Sequence, residues 1–272
     1  MPSEQGTRAA AESPLLRPFL AAPESAAILT DVDGTLAPIV ARPEQATVPS
    51  EAIGALRRLS ERFALVGCVS GRRAEEARRL VGLEELAYAG NHGLEVLWPG
   101  ERAAGLSPAA AEWEPRVKEL VTTLDDGALE AAGLRQEDKG PIQALHWRGA
   151  DDEAAAEARA REIATAAQAD GLGIHWGRKV LELRPPIAIG KDLAVTELLA
   201  EARPRHAIYA GDDRTDLDAF AGLREMRERG KLESAVRVGV LSAEAPPELE
   251  RESDLTVKGP AGWLAILESL VR

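Results

Sequence analysis

An α/β fold, a parallel sheet wrapped by helices and interrupted by an inserted α+β module, is predicted by three features of the 272-residue sequence. Short apolar runs alternate with amphipathic helical stretches near both ends of the chain, the pattern of strands laid parallel under crossover helices. That alternation breaks near Pro99 and resumes near Leu193. Two of the apolar runs end in clusters of Asp and Gly, at the strand edge where open parallel sheets bind ligands.

Residues 1–24 read as a polar, Ala- and Pro-containing leader that can fray. Ala26–Thr30 is an apolar run of strand length. Residues 49–63 carry Ile53, Leu56 and Leu59 at helical spacing, with Ser50 as N-cap. A second apolar run at 64–69 leads into Ser70-Gly71-Arg72 and a charged helix over 73–81, and 87–89 supplies a third strand. The rhythm then changes. Residues 107–132 are helical with one polar face, 134–147 and 173–184 read as strands, and an Ala-rich helix spans 152–169. Alternation returns with a helix at 190–201, a strand at 206–210, a helix at 215–222, a strand at 235–240 and a helix at 261–271. The economical organisation is a core formed by 25–102 and 185–272, with 103–184 inserted between the two halves of one sheet. Four of the five Trp fall between Trp98 and Trp176, which also sets the middle apart.

Composition narrows the function classes. A net charge of -12 argues against a nucleic-acid or anionic-membrane binder, since both need a basic surface. A phosphorylated small molecule remains allowed, because a bound cation and a few local Lys or Arg invert the field inside a cleft. Cys68, the only cysteine, lies in an apolar run and reads as a buried structural thiol. No run reaches the roughly 20 apolar residues of a membrane span. The first 25 residues carry Glu4, Arg8, Glu12, Arg17 and Glu24 and lack a signal-like apolar core, so a cytoplasmic location is expected.

The chemistry-bearing segments begin with Asp31-Val32-Asp33-Gly34-Thr35, directly after the first strand. Two carboxylates this close repel unless a cation lies between them, and Gly34 permits a tight turn that exposes the loop. Alone, the segment also fits a turn followed by a helix cap. Ser70 ends the second strand and has an N-cap role as its plain alternative. Lys191 opens a helix, where a solvated surface ammonium is the ordinary reading. Gly211-Asp212-Asp213-Arg214-Thr215-Asp216 follows a strand, and three acids there also suit helix capping.

Taken together and in this order, the four segments resemble the motifs of the haloacid-dehalogenase-like phosphatases, whose core is Rossmann-like and carries an inserted α+β cap. The resemblance implies Asp31 as nucleophile, Asp33 as general acid and base, Ser70 as a phosphoryl ligand and Lys191 as a charge-balancing ammonium. It implies Mg2+ as cofactor, held by the Asp31 carboxylate, the Asp33 backbone carbonyl and the Asp212 carboxylate, with Asp213 and Asp216 supporting that shell. Three further segments are similar to the trehalose-6-phosphate phosphatases: 88–95, containing Asn91-His92-Gly93; 180–185; and 211–220, where Leu217 stands in place of the Glu many relatives carry. With Glu137-Asp138-Lys139, the likeness covers about residues 26–268. It implies a small-molecule sugar phosphate as partner and a cap closing over the sugar. Arg72, Asn91, His92, Lys139, His146 and Glu182 are the implied substrate contacts. Relatives follow the Lys139 position with a Ser- or Thr-rich strand, whereas this chain has Gly140-Pro141-Ile142-Gln143. A monomer is expected. Related phosphatases of sucrose phosphate or glucosylglycerate phosphate, and a non-catalytic sugar-phosphate sensor, remain the alternatives.

Overall fold

The computed structural model describes residues 11–40, 45–122 and 126–271. The chain divides into two compact units, one comprising the part up to Gly105 together with Ile189–Arg272, the other Leu106–Ala188. Of the expected leader, residues 1–10 lie outside the described residues. Its remainder is built into the larger unit. Helix α1 (Arg17–Ala21) and the turn before it bury Leu16 and Phe19 in the core. Of its four large apolar side chains, Leu16 and Phe19 turn inward and dock it, while Leu15 and Leu20 stay exposed.

Strand β1 (Ala26–Thr30) is buried at every position, as befits a strand covered on both faces. Helix α2 (Ser50–Ser60) buries Ala52, Ala55, Leu56 and Leu59, one stripe at 3.6-residue spacing. It is followed by β2 (Leu65–Val69), α3 (Ala74–Val81), β3 (Ala87–Gly90) and the short strands β4 (Glu95–Leu97) and β5 (Gly105–Leu106). Neither of the last two strands is announced by an apolar run of its own.

The smaller unit begins with α4 (Pro108–Thr122) and α5 (Asp126–Ala131), both within the predicted helical stretch, with 123–125 outside the described residues. Strands β6 (Arg135–Asp138) and β7 (Gln143–His146) divide the predicted strand at Gly140-Pro141. Helix α6 (Glu153–Ala169), β8 (Gly173–Gly177) and β9 (Val180–Arg184) complete an antiparallel sheet of order β6-β7-β9-β8. Leu145, Leu181 and Leu183 face a core shared with Val117, Trp147 and Ile163. By strand alternation, Ala144, His146, Glu182 and Arg184 lie on the other face.

The larger unit resumes with α7 (Lys191–Ala202), β10 (His206–Gly211), α8 (Asp216–Glu228), β11 (Ser234–Leu241), α9 (Pro247–Glu252), β12 (Leu255–Lys258) and α10 (Gly259–Val271). Its sheet runs β12-β11-β10-β1-β2-β3-β4-β5, with β12 through β3 parallel and β4 antiparallel to β3. Ile28, Cys68, Ile208, Val236 and Trp263 fill one apolar layer; Leu29, Val69, Tyr209 and Phe220 fill the other. Cys68 is buried, which pushes its thiol up and leaves it a packing residue. No helix among the described residues is long and apolar enough to cross a membrane.

The chain leaves β1 toward β2 on one side, while β10 returns on the other. In a parallel sheet this reversal opens a crevice at the strands' carboxyl ends.

Candidate active site

In-register pairing of Thr30 with Ala210 places the loops after β1 and β10 side by side. The Asp31 N–H donates to the Ala210 carbonyl at 2.8 Å, carrying the pairing one residue past the strand. Asp31 and Asp212 are each 4% exposed. Oxygens of Asp31, Asp212 and Asp216 all lie within 4.8 Å of one another, so two loops about 180 residues apart in sequence form one acidic cluster. The approach is tight. Gly34 has φ +91, and a Cβ there would come within 2.1 Å of the Asp212 carboxylate, so only glycine fits both the turn and the contact.

Lys191 is 2% exposed, which removes the solvated reading of this ammonium. Its Nζ donates to Asp31 Oδ1 and to Asp216 Oδ1, both at 2.7 Å. Asp216 also accepts the Tyr209 hydroxyl on Oδ1 at 2.6 Å, and the N–H groups of Asp212 and Asp213 on Oδ2 at 2.8 and 2.9 Å. Four donors match the four lone pairs of a carboxylate, so Asp216 is a structural acceptor inside the cluster. Asp213 turns away and binds the Thr215 N–H and hydroxyl through Oδ1 at 2.8 and 2.7 Å. Asp212 Oδ1 accepts the buried Thr35 hydroxyl at 3.0 Å.

Electrostatics of the cluster are those of crowded acids. Burial pushes the Asp31 carboxyl well above its ordinary range, and Asp216 and Asp212 add to this against the opposing Lys191. Burial, then Asp216 and Asp213, push Asp212 up to about 7. For Lys191, burial acts to lower the value, but Asp216, Asp31 and Asp213 overcome it and hold the ammonium above its usual range. Among the described residues no donor reaches Asp31 Oδ2 or Asp212 Oδ2. Two hard oxygens with open lone pairs, in carboxylates that positive charge would stabilise, fit an oxygen-seeking divalent cation. The Asp33 carbonyl belongs to the same loop.

Ser70 is 1% exposed and ends β2. It does not cap α3, whose N-cap is Arg73. Instead its Oγ accepts the Arg72 N–H at 3.1 Å. The loop is held from behind, because Asn91 N–H donates to the Arg72 carbonyl at 2.8 Å and His92 N–H to the Ser70 carbonyl at 3.1 Å. Asn91 and His92 achieve this with left-handed backbone, φ 50 and 55. The buried Asn91 therefore supports Ser70 and Arg72 from inside the fold, where the sequence reading places it at the substrate. Its type was a turn signal; its burial was not legible. Arg72, also expected at the substrate, directs its side chain to Asp33: Nε to Oδ2 at 2.6 Å and Nη2 to Oδ1 at 2.7 Å.

In the smaller unit, Lys139, His146 and Glu182 share the sheet face opposite its apolar core. Glu182 Oε1 accepts Lys139 Nζ at 3.1 Å, while Oε2 accepts Arg184 Nε at 2.9 Å and Arg184 Nη2. His146 Nε2 lies 2.6 Å from Glu137 Oε2. Burial raises the pKa of Glu182, but Lys139 and Arg184 outweigh it and hold the carboxyl down at about 2. Because this value is depressed, the stabilisation exists above the ordinary carboxylate pKa of about 4.3 and is lost as pH falls toward 2. Glu182→Gln is expected to lower stability at pH 7 by about 3 kcal/mol, since two half-buried cations lose the buried carboxylate they share. In thermal unfolding of both proteins from pH 7 to 2, the gap should close below about pH 4; a gap that stays constant would contradict the ion-pair account.

Sequence reasoning gave no role to Thr35, Tyr209 or Arg184, nor to Trp263, whose Nε1 donates to Thr30 Oγ1 at 3.0 Å while that hydroxyl donates to the Asp31 carbonyl at 2.8 Å. Thr35 and Arg184 stand inside quoted motifs. Tyr209 and Trp263 look like core aromatics, and only their polar atoms reveal the second duty.

A parallel sheet with acidic loops at two neighbouring strand ends, a buried Lys and an inserted antiparallel unit defines the haloacid-dehalogenase-like class. A haloacid dehalogenase-like hydrolase from Bacteroides thetaiotaomicron shares the fold with a TM-score of 0.59 at 16% identity, over 89% of this chain and 98% of that one. The chain belongs to the trehalose-phosphatase family, which it matches over residues 29–253. It is 34% identical over 249 residues to trehalose 6-phosphate phosphatase RA3 of Zea mays, covering 85% of this chain and 66% of the maize protein. It is 34% identical over 199 residues to the trehalose-phosphate phosphatase of Mycobacterium marinum, covering 71% of this chain and 50% of that protein. The chain thus spans between half and two thirds of these curated relatives. The crystal structure of a trehalose-6-phosphate phosphatase related protein superposes with a TM-score of 0.68 at 25% identity, over 89% of this chain and 95% of that one.

Proposed function

We propose that this chain hydrolyses trehalose 6-phosphate to trehalose and phosphate through an aspartyl-phosphate intermediate, with Mg2+ as cofactor. The observation that carries the reading is the convergence of Asp31, Asp212 and Lys191 at adjacent strand ends, in a member of the trehalose-phosphatase family. Asp31 attacks phosphorus; the bond from phosphorus to the sugar oxygen breaks, and its electron pair stays on that oxygen. Asp33 gives the oxygen a proton and later takes one from the water that cleaves the aspartyl phosphate, restoring Asp31 and releasing phosphate. Ser70 donates its hydroxyl proton to a phosphoryl oxygen, since its lone pair already holds Arg72 N–H. Lys191 opposes the burial that disfavours the Asp31 anion, and faces the transferring group with a fixed charge. A bound Mg2+, held by the Asp31 and Asp212 carboxylates and the Asp33 carbonyl, supplies the remaining neutralisation of phosphoryl charge. Lys139, His146 and Glu182 offer the polyol both donors and an acceptor.

Phosphate release from a panel of esters tests the reading. With Mg2+, kcat/KM for trehalose 6-phosphate should exceed that for sucrose 6-phosphate, glucose 6-phosphate and glucosylglycerate phosphate by at least about tenfold. A preference for another ester would reassign the substrate, and release of phosphate from none would leave a sensor. Chelation by EDTA should stop turnover and added Mg2+ should restore it. Turnover that persists in EDTA would remove the metal from the mechanism.

A further inference from the structure

We propose that Arg72 is a positioning residue for Asp33, its guanidinium fork setting the carboxyl group that exchanges a proton with the leaving sugar oxygen. The inference rests on the phosphatase reading above and adds to it a cause for the orientation of the acid. Asp33 needs one. Its neighbours in the loop are buried, but its own side chain is 40% accessible, and the next residue, Gly34, is a left-handed glycine. Among the described residues, the bonds to its carboxylate come from Arg72, one to each oxygen, at 2.6 and 2.7 Å. A single bond would leave the carboxylate free to rotate about its own axis. Two parallel bonds from one planar group fix both its place and its plane.

The arginine itself is anchored. Its N–H is held by Ser70 Oγ and its carbonyl by the N–H of Asn91. Its side chain is only 19% accessible. Rigidity therefore passes from the left-handed turn at Asn91 and His92, through the Arg72 backbone, to the one carboxylate that must meet a moving oxygen. Each Asp33 oxygen keeps a second lone pair outside the fork, so one can carry the proton while both bonds persist. In the first step that proton passes from Asp33 to the sugar oxygen; in the second, one passes from water to Asp33; Arg72 gains and loses none. The Nε and Nη2 edge cannot hold the phosphoryl group while it holds Asp33. That contrast separates this role from phosphate binding.

The test uses leaving groups that differ in their need for a proton. A sugar alkoxide needs protonation, whereas the p-nitrophenolate of p-nitrophenyl phosphate leaves unaided. Release of the leaving group in a single turnover, which precedes the attack of water common to both esters, would be measured on both, alongside KM for the sugar ester, for the native chain, Arg72→Ala, Arg72→Lys and Asp33→Asn. Arg72→Ala should lower the single-turnover rate of leaving-group release from trehalose 6-phosphate about a hundredfold, with a fall on the aryl ester at least about tenfold smaller. KM for the sugar ester should move less than about threefold, because the lost interaction serves the transition state. Arg72→Lys keeps the charge and packing but lacks the fork, and should show the same selective loss, which also covers the case in which the alanine variant does not fold. Equal losses on both esters, a loss expressed in KM, rescue by Lys, or native kinetics would each overturn the proposal. Asp33→Asn separates the layers: if it lacks the selective pattern, the acid–base assignment fails; if it shows the pattern and Arg72→Lys does not, only the positioning role fails.

Discussion

Asp31→Asn is expected to abolish hydrolysis of trehalose 6-phosphate, lowering kcat by about 10^4-fold or more, because an amide oxygen does not capture phosphorus and the covalent step has no substitute. The same variant should fold at least as well as the native chain when no metal is added. Asp31 is buried beside Asp212 and Asp216, and its carboxyl is pushed well above its ordinary range, burial contributing most. A carboxyl raised in this way is disfavoured as an anion by the folded state at neutral pH, so a neutral isostere removes a destabilising charge. Lys191 keeps Asp216 as its counter-ion. Loss of turnover with an unfolding temperature that holds or rises would identify Asp31 as a residue kept for chemistry at some expense of stability. Residual turnover within tenfold of native, measured by phosphate release, would remove Asp31 from the nucleophilic role.

The residues of the acidic cluster and its lysine were legible in the sequence because their signals are local. Asp31, Ser70 and Asp212 each follow directly on the last residue of a strand, and β1, β2 and β10 pair so that this shared position becomes a rim. Helix α7 likewise begins at Lys191, and its stripe of Ala194, Val195, Leu198 and Leu199 presses that first turn onto the sheet. Strands β4, β5 and β12 went unread since two to four residues give no usable period. The docked segment around Leu16 and Phe19 was hidden for another reason: Leu15, Leu16, Phe19 and Leu20 do not themselves say which of them turn inward, yet a core with so few aromatics gains appreciably from one more Phe.

Partnerships were harder to see than places. Nothing in the residue types told that Arg72 would hold Asp33 rather than face a phosphate, or that Lys139 and Glu182 would meet, since both pairs depend on loops and strands brought together from distant parts of the chain. The register supplies the missing step in the second case. Ala144 pairs with Glu182 and Glu137 pairs with Ala144, which sets Glu182 two strands from the Glu137-Asp138-Lys139 segment on the same face.

Asp216→Asn is the change expected to damage fold and activity together, and the reason lies in counting donors. The native carboxylate receives Lys191 Nζ and the Tyr209 hydroxyl on one oxygen and two backbone N–H groups on the other, in a site with no exposure. An amide nitrogen at either position would aim hydrogens at two donors. Nor could the side chain step aside, because a carbon placed on Gly211 would lie 2.1 Å from the Asp216 carboxyl carbon, so that wall is already in contact. Leaving buried donors unmatched and removing the counter-charge of a buried ammonium should cost about 3–5 kcal/mol of stability. The backbone of Asp212 and Asp213 hangs from the same carboxylate, so the open oxygen of Asp212 shifts when it is lost, and a misplacement of about 1 Å reduces rates about a hundredfold. Thermal unfolding and phosphate release, measured on one preparation, should both fall. A variant that is as stable as native yet inactive would instead make Asp216 a direct metal ligand, and one that is destabilised but fully active would detach the support of this loop from catalysis.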